Sequence, residues 1–149
     1  MKAVLQRVTR ASVEVNGHVV GRINTGLLVL LGVAKGHGER DLVYIIEKIQ
    51  TLRIFGDDEG KMNRALSDVG GALLLVSQFT LLGNSTKGRR PGFDLAAPSD
   101  EARALYDEAA NRLRAGGLIV ETGSFGVHMQ VELVNDGPVT LLLDSRPGS

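Results

Sequence analysis

The sequence predicts an α+β fold: a mainly antiparallel, curved β-sheet with two main helices. Three observations lead there. Apolar runs of strand length, alternating or continuous, outnumber helical patterns. Only two stretches carry apolar residues at helical spacing, and they lie far apart in the chain. An Asn16-Gly17 pair joins two alternating segments, a strong signal for an antiparallel hairpin.

Taken in order, Lys2 to Val8 reads as a strand, and Ala11 to Val15 continues it with Val13 and Val15 in phase. Asn16-Gly17 returns the chain into His18 to Ile23, and Asn24-Thr25-Gly26 turns it again. Leu27 to Val33 is a continuous apolar run, expected of a strand covered on both faces. After the breaker Gly36-His37-Gly38, the residues Leu42, Ile45, Ile46, Ile49 and Leu52 share one helical face. Glu39 and Asp41 sit in its first turn, where negative charge complements the helix dipole. This helix is expected to end near Arg53-Ile54-Phe55, with an acidic turn at 56–60 and irregular chain over 61–71. Ala72 to Leu82 reads as the next strand, and 83–92 as a polar, basic loop. Pro98-Ser99-Asp100-Glu101 announces the second helix, with Ser99 as the expected N-cap and Gly116-Gly117 as the stop. Leu118 to Thr122 is a strand. Val127 to Leu143 reads as two alternating strands joined by a turn at Asn135-Asp136-Gly137-Pro138. No repeat, linker or low-complexity segment interrupts the 149 residues, so one domain over 1–149 is expected.

The 149-residue chain contains no cysteine, which removes disulfides, thiol nucleophiles and cysteine-ligated zinc, and fits a reducing, cytoplasmic home. No apolar run approaches the roughly 20 residues that span a bilayer. The N-terminus enters a strand pattern at once, so neither a membrane nor a signal peptide is expected. Lys and Arg number 17, as do Asp and Glu, so net charge does not argue for nucleic acid and only local clustering can. Lys87, Arg89 and Arg90, with Gly88 and Gly92 beside them, form the densest basic patch.

Familiar catalytic machinery is missing. There is no GxSxG elbow, no HExxH and no Walker loop. His18 follows a turn, His37 lies in a glycine loop, and His128 alternates with apolar residues; none stands in a nucleophile–base motif. An enzyme built on this chain has to work without a strong protein base. The apolar segment 73–82 nevertheless carries Ser77, Gln78 and Thr80 in its middle. Buried polar groups are costly unless paired, so these either bond to neighbouring strands or serve a purpose. Gly137-Pro138 is a place where a cis peptide costs little, and its carbonyls have almost no side chain in the way.

Ser77-Gln78-Phe79-Thr80-Leu81 together with Gly137-Pro138-Val139-Thr140 resembles the D-aminoacyl-tRNA deacylase family. The likeness runs the length of the chain, through Ala3-Val4-Leu5-Gln6-Arg7-Val8, Leu52-Arg53-Ile54-Phe55, Gly60-Lys61-Met62-Asn63 and Asn135-Asp136-Gly137-Pro138. It implies a barrel-like sheet with the helices packed outside. It also implies a homodimer whose active sites lie at the subunit interface, a tRNA substrate and no cofactor. The reaction implied is hydrolysis of the ester joining a D-amino acid to tRNA, without metal and assisted by the terminal adenosine's own hydroxyl. Such an ester is already activated, so positioning, oxyanion donors and water suffice. Ser77, Gln78, Phe79 and Thr80 are the implied catalytic residues. Thr80 is not expected to be a covalent nucleophile, since no activating base is visible.

The resemblance further implies a chiral filter at Gly137 and Pro138. L and D substrates differ in the direction the side chain leaves Cα, and rigid backbone carbonyls facing Cα exclude the L form by collision. Glycine escapes that test, so mischarged glycyl-tRNA is an expected second substrate. Arg7 is assigned to fixing the Gly-Pro carbonyls, a task its planar fork suits, and Met129 to the pocket. Lys87, Arg89 and Arg90 are assigned to tRNA. Departures from the usual family pattern fall at Ala65, Gly92 and Val127-His128, outside both motifs. The rival readings are a non-catalytic tRNA-binding module of the same fold, a hydrolase of small acylated metabolites, and a relative with altered chirality rules in which the Gly137-Pro138 peptide is trans.

Overall fold

A computed structural model describes residues 1–148. The α+β class and the nearly closed, barrel-like sheet are both present. Its organising element is β1, an unbroken strand Lys2–Val15. The two alternating segments expected at the N-terminus are this single strand. Its C-terminal half pairs antiparallel with β2 (His18–Ile23) across the Asn16-Gly17 turn, and its N-terminal half with β3 (Gly26–Gly32). Asn16 takes the positive φ of 51° that such a turn requires.

The continuous apolar run in β3 is buried almost throughout, because helix α1 (Glu39–Thr51) covers one face and the barrel interior the other. α1 ends at Thr51, slightly before the expected boundary. Its start is capped by Asp41, whose carboxylate accepts the Gly38 amide at 2.9 Å. The segment expected to be irregular contains a small hairpin, β4 (Phe55–Gly56) with β5 (Met62–Arg64).

β6 (Ala72–Ser77) then lies parallel to β3, and β7 (Ile119–Thr122) parallel to β6. Each parallel step is made by a crossover through a helix, α1 for the first and α2 (Ser99–Ala115) for the second. The sheet is therefore mixed, antiparallel around β1 and parallel where helices intervene. Close approach at the first parallel pair demands glycine: a Cβ on Gly26 would lie 1.8 Å from the Ala72 carbonyl oxygen. β2 in turn packs toward β7; a Cβ on Gly21 would meet the Thr122 carbonyl oxygen at 2.5 Å, so the sheet nearly closes.

Three local expectations are corrected. The strand expected over 72–82 stops at Ser77, and Phe79–Leu82 forms a turn of 3₁₀ helix. Ser99 is the first helical residue of α2 and makes no capping hydrogen bond; the position before it is Pro98, whose carbonyl accepts the Ala102 amide at 2.9 Å. The pair of strands expected around Asn135-Asp136-Gly137-Pro138 is one strand, β8 (Gln130–Asp144), antiparallel to β1 along almost its full length. Pairing passes from Gln6 with Thr140 to Val8 with Asn135, so residues 136–139 bulge out opposite Arg7. Alternation on both sides of a turn residue cluster is the same signal for a hairpin and for a bulged strand. The long partner β1 decides between them.

Candidate active site

Where β6 ends, its last residues open onto a cavity of about 530 Å³. Ser77, Gln78 and Phe79 line it from the β6 end, and Met129 and His128 from the segment leading into β8. Tyr106 of α2 and Phe125 close it on another side. The reason for the opening is local. After Ser77 the chain leaves the sheet and winds into the short 3₁₀ turn, with the Gln78 amide still bonded to the Leu31 carbonyl at 2.8 Å. The next two amides, of Phe79 and Thr80, donate to no acceptor among the described residues. Such unpaired amides are what a helical turn leaves at its N-terminal end.

The side chains differ from the expectation of buried hydroxyls. Ser77 is half-buried, and its hydroxyl has no hydrogen-bond partner among the described residues. Thr80 is exposed and accepts a hydrogen bond from the Gln78 side-chain amide. Thr80 is also absent from the cavity wall. Phe79 is 55% exposed and meets Phe93 edge-on, their ring centroids 5.2 Å apart. An exposed aromatic pair at a cavity rim offers a stacking surface to a nucleobase. Met129 combines pocket and packing: it lines the cavity and its sulfur sits where a Cβ on Gly123 would be 2.8 Å away.

Several wall residues carry no motif in the sequence. Tyr106 is buried, its hydroxyl donating to the Leu75 carbonyl at 2.7 Å, and burial pushes its pKa up to about 12. Phe125 packs against it at 5.8 Å. His128 is exposed, lies before β8 begins, and has its Nε2 3.1 Å from the Gln130 side-chain nitrogen. It does not alternate with core residues, and it stands on the cavity wall although it belongs to no motif.

The second set of predicted residues lies elsewhere on the chain. Gly137 and Pro138 occupy the exposed β8 bulge, joined by a cis peptide bond, and line no part of the cavity. The bulge is held from both sides. Asn135 accepts the Val139 amide at 2.7 Å and donates to the Val139 carbonyl and Thr140 hydroxyl, each at 3.1 Å. Arg7 donates from Nε to the Asp136 carbonyl at 2.8 Å and from its guanidinium to the Ile54 carbonyl at 2.7 Å. Arg7 is thus tied to two backbone carbonyls, 47 residues or more away in the chain. It fixes the carbonyl immediately before Gly137 and packs its guanidinium beneath that residue, 3.3 Å from where a Cβ would stand.

The basic loop forms a third group. Asn84 and Gly92 exchange backbone hydrogen bonds of 2.7 and 2.8 Å, closing the loop at its neck. Lys87 and Arg90 line a hollow there with Asn84, Thr86 and Asp94, while Arg89 is exposed outside it. Phe93 follows the neck directly, so the loop is anchored to Phe79 at the cavity rim.

Comparison with known proteins gives a consistent answer. The family model described as D-Tyr-tRNA(Tyr) deacylase matches residues 4–144. A D-aminoacyl-tRNA deacylase of Anaeromyxobacter dehalogenans is 60% identical over 146 residues, covering 98% of each chain. The protein of the same name from Thermosipho africanus is 59% identical over 146 residues, again covering 98% of each. Among solved structures, one described as c-Myc DNA Unwinding Element Binding Protein superimposes with a TM-score of 0.92. It is 42% identical and covers 98% of this chain and 99% of its own.

Proposed function

The chain belongs to the D-Tyr-tRNA(Tyr) deacylase family, and on that premise we propose that it hydrolyses the ester linking a D-amino acid to the 3′ end of tRNA. Water adds to the ester carbonyl carbon, the bond to the ribose oxygen breaks, and the products are the free amino acid and tRNA. The observation that carries the mechanism is the pair of unpaired amides at Phe79 and Thr80, next to a cavity lined by Ser77, Gln78 and Phe79. Amides with no partner in the protein suit the oxyanion that forms as water adds, and one such donor contributes on the order of 10²–10³ in rate. With the ester already activated and the terminal adenosine's hydroxyl assisting, no covalent nucleophile is required. The exposed Phe79–Phe93 pair suits the terminal adenine.

Selection of the D form is assigned to Gly137 and Pro138. Because the bulge lines no part of the cavity in its own chain, a filter needs a second copy to present it, and we propose a two-fold dimer with the site at the interface. The exposed bulge and the exposed apolar residues of the same edge strand, Leu142 at 79% and Val131 and Val134 at 37% each, support this reading. Glycyl-tRNA, having no side chain at Cα to collide, is a second substrate in this reading. Lys87, Arg89 and Arg90 are assigned to the tRNA backbone. The test is deacylation of D-Tyr-tRNA by the purified protein in the presence of chelator. Release of tyrosine supports the reading, and intact ester at high protein concentration overturns it.

A further inference from the structure

On the far side of the wall formed by Tyr106 and Phe125 lies a second groove, of about 490 Å³. Arg103, Asp107, Asn111 and Arg114 line it from one face of α2, at the spacing that brings helical residues into line. Thr122 and Ser124 line it from the end of β7 and the loop after it. Both arginines are held in place. The Arg103 guanidinium lies over the Phe125 ring, 5.7 Å from its centroid. Arg114 donates to the Val120 carbonyl at 3.1 and 3.3 Å. Among the described residues, neither lies within 4.0 Å of a carboxylate. Arg112 on the same helix is different: it bonds both Glu39 and Glu108 at 2.7 Å. α2 therefore neutralises the half-buried arginine that faces α1 and leaves the two exposed groove arginines without carboxylate partners among the described residues.

We propose that this groove binds backbone phosphate of the RNA strand whose 3′ end enters the adjoining cavity, an inference that rests on the deacylase reading above. Fixed guanidinium groups suit phosphate oxygens and lose little freedom on binding. The Asn111 amide and the Ser124 hydroxyl supply further donors. Contacts of this kind set the register of a nucleic acid without reading its sequence. The groove and the cavity share Tyr106 and Phe125, so a phosphate held there fixes how far the strand reaches. Asp107 is the one opposing charge among the described residues that line the groove.

The test measures binding of deacylated tRNA to the wild type, Arg103→Gln and Asp107→Asn over a chloride series. Arg103→Gln should weaken binding about 3- to 10-fold at low salt and lower the log–log salt slope by about one. Asp107→Asn should tighten binding severalfold, a result that misfolding cannot produce. Hydrolysis of D-tyrosyl-adenosine, which carries no phosphate, should be unchanged in both variants. Wild-type tRNA affinity and salt slope in both variants would overturn the proposal, as would a loss of D-tyrosyl-adenosine hydrolysis matching the loss of tRNA binding in Arg103→Gln. If the wild type hydrolyses neither ester, the deacylase reading fails, and the groove is judged by tRNA binding alone.

Discussion

Arg7 donates a 2.8 Å hydrogen bond to the carbonyl of Asp136, across the four-residue bulge where β8 leaves its pairing with β1. The same guanidinium holds the Ile54 carbonyl at 2.7 Å, so one side chain joins the bulge to the segment after α1. Replacing Arg7 by Ala removes two hydrogen bonds from a charged donor and should cost about 2–4 kcal/mol of stability. The larger effect should be on selectivity. Chemical denaturation measures the first, and the ratio of D-Tyr-tRNA to L-Tyr-tRNA hydrolysis the second. Arg7→Ala should reduce that ratio at least tenfold, and an unchanged ratio would mean that the bulge holds its shape without the arginine.

Gly137 has a φ of +149°, and a Cβ built on it would stand 2.7 Å from Val139 Cγ2 and 2.8 Å from the Val139 amide nitrogen. Gly137→Ala therefore has to displace the bulge, at a cost of about 1–3 kcal/mol. Gly137→Ala should weaken rejection of L-Tyr-tRNA, or abolish hydrolysis of D-Tyr-tRNA, in a protein that retains its fold by circular dichroism. Wild-type selectivity in this variant would remove Gly137 from the filter.

Neither Thr80 nor His128 is needed as a nucleophile or base in a substrate-assisted reaction. Thr80→Val and His128→Gln should each keep the D-Tyr-tRNA rate within about tenfold of wild type, with no burst of covalent intermediate. A loss beyond 10³-fold in Thr80→Val, with the fold intact, would restore the hydroxyl as a participant. A similar loss in His128→Gln would make the cavity-wall imidazole the base.

Asp41 is almost fully buried at the start of α1. Burial alone would raise its pKa. Hydrogen bonds from Arg146, Ser145 and the Gly38 amide, with His37 3.4 Å away, outweigh burial and hold it well below the ordinary 3.8. A depressed folded-state pKa means that the stabilisation is present above the unfolded value and lost as the pH falls through and below it. Denaturation midpoints should thus fall from about pH 4 downward. Asp41→Asn should be less stable at pH 7 by about 1–3 kcal/mol and show a shallower acid decline. Identical acid profiles for the two proteins would contradict this assignment.

Much of the fold could be read in the sequence because its signals are periodic. The runs at 27–33 and 72–77 are buried on both faces, and the face containing Leu42, Ile45 and Ile49 packs into the core. What escaped depends on distant partners. The polar residues Ser77 and Gln78 mark the end of β6, yet propensity alone continued the strand to Leu82. Ser99 has the composition of a cap, but Pro98 occupies that position and Ser99 turns up on the cavity wall. Asn135 to Pro138 carry turn residues, and only the length of β1 shows that they form a bulge. Ser77, Gln78, Phe79 and Met129 share the cavity wall, whereas Thr80, Gly137, Pro138 and Arg7 lie off it. Tyr106, Phe125 and His128 carry no motif and join the wall only through the packing of α2 and the loop before β8.

The most direct measurement compares D-Tyr-tRNA and L-Tyr-tRNA as matched substrates for the purified protein, with chelator present throughout. A backbone filter at Gly137 and Pro138 predicts rapid loss of the D ester and an L ester that decays no faster than in buffer. Equal loss of both would keep the hydrolase and contradict the backbone filter at Gly137 and Pro138. Survival of both, with tRNA still bound, would contradict catalysis itself and leave a binding module.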